Sequence, residues 1–193
     1  MDKLIDDEML VAQFKSGSQK AFDELMKRYE RRIFGYLLRS VRNYEDAEDL
    51  TLEVFFKAYR ALDSWEPKAK FSTWLYTIAS NLAIDYHRSK ARQPVYVFED
   101  EDVIEARLVA TDISSNPEKQ LEEKERGRII REAVDELSSK QKAVFMLTRY
   151  EGLQIREVAE ALGMAEGTVK IHLHRAMKKL QTLLRSLWEN NEL

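Results

Sequence analysis

The chain has 193 residues with only six glycines, three prolines and no cysteine, 44% hydrophobic residues and a formal net charge of −3. So low a share of Gly and Pro, against a usual roughly 12%, excludes a turn-rich β-sandwich or a collagen-like chain and points to a mostly helical protein with enough apolar residues for a core. Lack of cysteine excludes a disulfide framework and a thiolate metal cluster; the acidic opening Met1–Asp7 has no signal-peptide pattern and no apolar run approaches the roughly 20 residues that cross a bilayer, so a cytoplasmic protein without membrane insertion is expected.

Residues 1–92 read as a run of helices, with apolar residues recurring at spacings of three and four and short breaks at Ser16-Gly17-Ser18, Arg42-Asn43-Tyr44 and Asp63 to Lys70. Asp46 to Tyr59 is amphipathic. Ala47, Leu50, Val54, Ala58 and Ala61 form its core stripe, while Asp46, Asp49 and Glu53 share an adjoining face and Leu52, Phe55 and Phe56 are in apolar excess. Acids early in a helix complement its dipole, but Glu53 lies too far along for that. A carboxylate row beside apolar residues suits a protein partner bearing Arg or Lys.

The next helix carries a predicted buried stripe of Phe71, Leu75, Ile78, Leu82 and Tyr86, with Thr73, Tyr76, Thr77, Ser80, Asn81, Ile84 and Arg88 facing elsewhere. Aromatic rings, hydroxyls, an amide and then the acid-free basic end Arg88, Lys90, Arg92 are the ingredients for holding unstacked single-stranded bases. Phe71 and Trp74 fit the core better. For Asn81 and the loop at Trp65, core packing and base contact are equally good accounts.

Gln93 to Pro117 changes character: two prolines, scattered apolar residues, and six acids against one base. It reads as an acidic linker between two helical domains, 1–92 and 118–193. In the second, a helix beginning near Gln154 and containing Ala159 ends at Gly163, which takes the positive φ that a helix stop requires, and another starts at Thr168. Two short helices joined so tightly make a helix-turn-helix. Val169, Leu173, Ala176, Leu180, Leu183 and Leu187 give the second helix one buried stripe, and from Thr168 to Trp188 there are five bases and no acid. The opposite face offers Lys170, Ile171, His174, Arg175, Lys178 and Lys179: donors for base edges, an apolar group for a thymine methyl, cations for phosphates. His172 and His174, two apart, point about 200° from each other and do not share a metal; no cofactor, metal set, nucleophile or acid/base pair is seen, so no enzyme is expected.

Together these three segments resemble bacterial sigma factors of the extracytoplasmic-function group, in the same order and over nearly the whole chain. The resemblance implies an all-α protein of two small helical domains, regions 2 and 4 of the sigma-70 family, which binds core RNA polymerase and directs promoter-specific initiation, reading the −35 element as duplex and the −10 element as a melted strand. It implies that Asp46, Asp49, Leu50, Glu53 and Phe56 dock on the β′ coiled coil, with the β flap as a second polymerase contact. Trp65, Lys68, Lys70, Asn81, Arg88, Lys90 and Arg92 fall to the −10 element, and Thr168, Lys170, Ile171, His172, His174, Arg175 and Lys178 to the −35 element. An anti-sigma factor is a further implied partner. Family members often carry Ser and Arg where this chain has Ile171 and His172, and Arg in place of Met177, so two phosphate-binding cations are lost and Ile171 adds an apolar contact. A stand-alone helix-turn-helix regulator would have no use for the Asp46 helix, and a helical adaptor that never meets DNA would leave the basic face unexplained.

Overall fold

A computed structural model describes residues 6–90 and 117–190. Among the described residues there are eight helices and no strand: α1 (Asp7–Lys15), α2 (Gln19–Val41), α3 (Tyr44–Leu62), α4 (Phe71–Lys90), α5 (Pro117–Asp135), α6 (Ser139–Arg149), α7 (Ile155–Leu162) and α8 (Glu166–Asn190). The all-α expectation holds, and the three breaks expected in the first half fall where α1, α2 and α3 end. Apart from Pro117, which opens α5, the acidic linker lies outside the described residues, as do Arg92 and the side chain of Leu187.

Local chemistry sets the helix ends. Ahead of α3, the Asn43 side chain accepts the Asp46 N–H at 2.8 Å, satisfying one of the donors that a helix start leaves open. Helix α2 stops where Arg42 turns left-handed, at φ 54°. Helix α7 stops at Gly163, φ 60°, a conformation that costs a side-chain-bearing residue roughly 1–2 kcal/mol. The following helix starts at Glu166, two residues before the expected Thr168, because the Val169 N–H already bonds to the Ala165 carbonyl.

One continuous apolar cluster runs through all the packed helices. On the side of α1–α4 it contains Leu25, Ile33, Leu37, Val54, Ala58 and Leu75; on the side of α5–α8 it contains Val144, Leu147, Val158, Val169, Ala176 and Leu180, all buried. Each fully buried Val, Leu or Ile side chain among them contributes about 1.5–3 kcal/mol. Phe55 belongs to this core rather than to the exposed apolar excess of α3: eight residues after Ala47 and three before Ala58, it follows the helical period of the buried stripe. Helix α7 lies on α4, and α6 touches both α2 and α4, so the second group of helices sits directly on the first.

Candidate nucleic-acid interface

On α8 the sequence periodicity produces two distinct faces. Val169, Ala176 and Leu180 are buried, with Leu173 and Leu183 packed against the core. This turns Thr168, Lys170, Ile171, His174, Arg175 and Lys178 to solvent. Ile171 is 53% exposed, which leaves its apolar side chain available on this cationic face. Two residues of the expected face lie differently. His172 is half-buried, with its Nδ1 enclosed and without a hydrogen-bond partner, because it sits beside the buried stripe residues Val169 and Ala176. Lys179 turns back to the turn after α5, where it meets the Glu136 carbonyl and, at 3.7 Å, its carboxylate.

The outer face of α3 is acidic and apolar at once. Leu52 and Phe56, one helical turn apart, are 70% and 61% exposed, flanked by exposed Glu48, Asp49 and Glu53. Glu53 pairs with Lys57 at 2.9 Å, and the Arg60 guanidinium lies over the Phe56 ring. Leu50, read as a core-stripe residue and also given to docking by the resemblance, and Asp46 are both half-buried. Leu50 is packed against the core; Asp46 accepts the Tyr86 hydroxyl at 2.6 Å and faces Lys90 at 3.6 Å, tying α3 to α4. Leu52, noted in the sequence only as apolar excess, is exposed beside Phe56, four residues on.

Around α4 the structure separates what the sequence grouped. Trp65, expected at the −10 element, is buried at 8% exposure, its ring against Phe71 and Trp74. It cannot offer a face for stacking without leaving the core. Lys68 is exposed beside Glu66, and Asn81 is exposed. Arg88 is exposed next to Asp85, whereas Lys90 lies over the Tyr86 ring. Thr73, Tyr76 and Ser80, expected to face away from the core, are 2%, 0% and 0% exposed. The reason is tertiary: Ser80 bonds to Tyr36 of α2 at 2.9 Å, and the Tyr76 hydroxyl reaches Glu151 in the loop after α6.

Glu151 is one of several polar links between the two groups of helices. It also accepts from Arg39 of α2. Arg42 pairs with Asp135, and Lys142 donates to the Ser40 carbonyl at 2.8 Å and to Asp135 at 2.7 Å. Lys70 meets Glu157 at 2.8 Å, and Glu157 also accepts the Gln154 N–H at the start of α7. The ion pair with Lys70 is the main cause holding the Glu157 carboxyl below its ordinary range. Burial lowers the pKa of Lys142 against the opposing pull of Asp135, and burial followed by the charge of Lys142 lowers that of His87. The three tyrosines Tyr36, Tyr76 and Tyr86 are pushed upward chiefly by burial, Tyr36 to about 12. Among the described residues no group of acids and histidines is arranged to hold a metal, and no helix is long and apolar enough to cross a membrane.

Residues 25–93 match the family model described as Sigma-70 region 2, and residues 127–180 that described as Sigma-70, region 4. The chain is 34% identical over 193 residues to the ECF RNA polymerase sigma-E factor of Escherichia coli K12, covering 96% of this chain and all of that one. It is 33% identical over 183 residues to the ECF RNA polymerase sigma factor SigW of Bacillus subtilis, covering 92% and 96%. This chain belongs to the ECF sigma factors of the sigma-70 family. CnrH, solved in complex with the cytosolic domain of CnrY, superposes with a TM-score of 0.68 at 26% identity, covering 93% of this sigma factor and 97% of CnrH. The Bartonella quintana sigma factor RpoE, solved with the anti-sigma factor NepR, shares the fold, with a TM-score of 0.65 at 23% identity over 86% and 98% of the chains. As a sigma factor the protein serves promoter-specific transcription initiation by RNA polymerase, and its relatives are regulatory transcription factors rather than enzymes.

Proposed function

We propose that this sigma factor divides its work between three surfaces. The α3 face bearing Asp49, Leu52, Glu53 and Phe56 docks on the β′ coiled coil of core polymerase. The α8 face bearing Thr168, Lys170, Ile171, His174, Arg175 and Lys178 reads the −35 element as duplex. Asn81, Lys68, Lys70 and Arg88, around α4 and its preceding loop, hold the −10 element as an unpaired strand. The observation that carries this assignment is the α8 face, exposed along its length and free of acids from Thr168 to Trp188. Such a surface meets phosphates and base edges in a major groove without self-pairing. Binding free energy at the two anchored surfaces offsets the few kcal/mol that each extruded base costs in unstacking. The chain also fits the domain layout 1–92 and 118–193, with residues 93–117 as the tether that keeps both DNA surfaces at high effective concentration on one promoter. A regulatory protein of the anti-sigma kind is a further proposed partner, supported by CnrH having been solved with a protein partner.

The test is a gel shift on promoter fragments selected from transcripts that the sigma factor induces, with and without core polymerase, followed by permanganate footprinting. A promoter-specific complex that forms only with core, with reactive thymines confined to the −10 region, is expected. Equally tight and specific duplex binding by the chain alone, or a complex with no unpaired thymine, would overturn the assignment.

A further inference from the structure

The loop carboxylate of Glu151 is an unusual group to bury. Its side chain is 4% exposed, and a carboxylate taken out of water is strongly penalised unless it is paired. Two residues of the first four helices compensate it: Arg39, through Nη2, and the fully buried Tyr76, through its hydroxyl. The pairing is incomplete, since Arg39 Nε is enclosed and has no partner. The position of the guanidinium is fixed on two sides. It lies over the Tyr150 ring at 5.2 Å, and a Cβ on Gly35 would come within 3.2 Å of its Nη1, so glycine one turn earlier on α2 leaves the room it occupies. Beside it opens a cavity of about 320 Å³ lined by Arg31, Arg32, Phe34, Gly35, Arg39, Tyr150 and Glu151. Arg31 and Arg32 are exposed there without an ion pair among the described residues.

We infer that Arg39 and Tyr76 form a phosphate subsite on the α2/α4 surface: Glu151 fills it while the two groups of helices are closed, and a backbone phosphodiester of the unpaired DNA strand takes its place when they part. The inference rests on the proposed function of α4 in holding that strand. A phosphodiester carries the same single negative charge and two non-bridging oxygens, one to accept the Tyr76 hydroxyl and one to accept from the guanidinium, where the larger tetrahedral group can also meet Arg39 Nε. Arg31 and Arg32 supply cations for the neighbouring phosphate, and α4 is the helix that α7 covers in the closed form. Strand binding and domain closure therefore compete for one site, and each reports on the other.

The absence of cysteine makes the full chain suitable for paired spin labels at the exposed positions Glu30→Cys and Gln181→Cys. In this labelled chain Glu151→Ala, and independently Glu151→Gln, which keeps the side-chain volume, should lengthen the label distance. Both should tighten binding of a short degenerate single-stranded oligonucleotide by about tenfold, the gain expected when a closed state populated at roughly 90% is removed. Adding Arg39→Gln to either variant should reverse the gain and flatten the plot of log affinity against log salt by about 0.7, the loss of one single-strand phosphate contact. An uncharged methylphosphonate oligonucleotide should show no Arg39 dependence. Equal affinity and salt slope with and without Arg39→Gln overturns the subsite while leaving the strand assignment standing. An opened chain that binds no oligonucleotide overturns the strand assignment and the subsite with it. Inorganic phosphate that alone opens the wild-type chain, with oligonucleotide binding indifferent to Arg39, assigns the site to free phosphate and overturns its role toward DNA.

Discussion

Truncation of Phe56 separates docking from folding. With 61% of the residue exposed, and an aromatic side chain offering about 150–250 Å² of surface, roughly 90–150 Å² remains for a partner to cover. At about 25 cal/mol per Å² that is worth about 2–4 kcal/mol, and since ordering and imperfect desolvation reduce what an interface returns, about 2 kcal/mol is the expected loss, roughly thirtyfold in Kd. Phe56→Ala removes little from the fold because its only ring contact among the described residues is with the Arg60 guanidinium on the same exposed face, so the unfolding midpoint should stay within about 0.5 kcal/mol of wild type. Leu50→Ala, at a side chain packed against the core, should do the reverse, lowering stability with little effect on docking beyond it. The assay is fluorescence-detected binding of each variant to core polymerase beside urea denaturation of the free protein. Wild-type affinity for core in Phe56→Ala, or a matching fall in stability, would refute the assignment of the exposed α3 face to docking.

Three further outcomes follow from particular contacts. Gly163→Ala should destabilise the chain by about 1–2 kcal/mol, because φ is 60° there although a Cβ would meet nothing within 4 Å; Gly167→Ala, in helical backbone and equally open space, should be neutral or stabilising by up to about 1 kcal/mol in the same thermal melt. His87 sits between the two groups of helices near Lys142, Asp135 and the Ser40 carbonyl, and its pKa is lowered by burial and then by the Lys142 charge, with Asp135 and Ser40 opposing. The closed fold thus binds fewer protons at His87 than the unfolded chain does. Its stability should be complete above about pH 6.5 and fall below it by at most about 1.4 kcal/mol per pH unit, and a His87→Gln variant that keeps the same slope in urea titrations would refute this. Ile171→Ser should change the preferred −35 sequence in a selection from randomised promoters, with weaker discrimination at a thymine, since it removes an exposed apolar group suited to a thymine methyl.

How much of this was visible in the chain differs from element to element. The periodicities of α3, α4 and α8, the glycine stop of α7 and the separation of acidic from basic segments are local properties, set by a 3.6-residue repeat and by which residues tolerate positive φ, and they sufficed to fix the all-α class and the two-faced α8. The family likeness was legible for the same reason, since its motifs lie on contiguous helices. Thr73, Tyr76 and Ser80, expected to face away from the core, are buried because each borders a helix face whose fate depends on what packs against it. A polar side chain at the edge of a stripe is solvent-exposed or enclosed according to a neighbour distant in sequence: Tyr76 meets Glu151, 75 residues away, and Lys142 meets Ser40, 102 residues away. Period and composition carry no record of such pairs. The sequence alone thus determined which surfaces carry charge, whereas the tertiary fold decided which of them the protein keeps covered by its own second half, because long-range contacts between hydrogen-bonding groups are set by three-dimensional proximity and not by spacing along the chain.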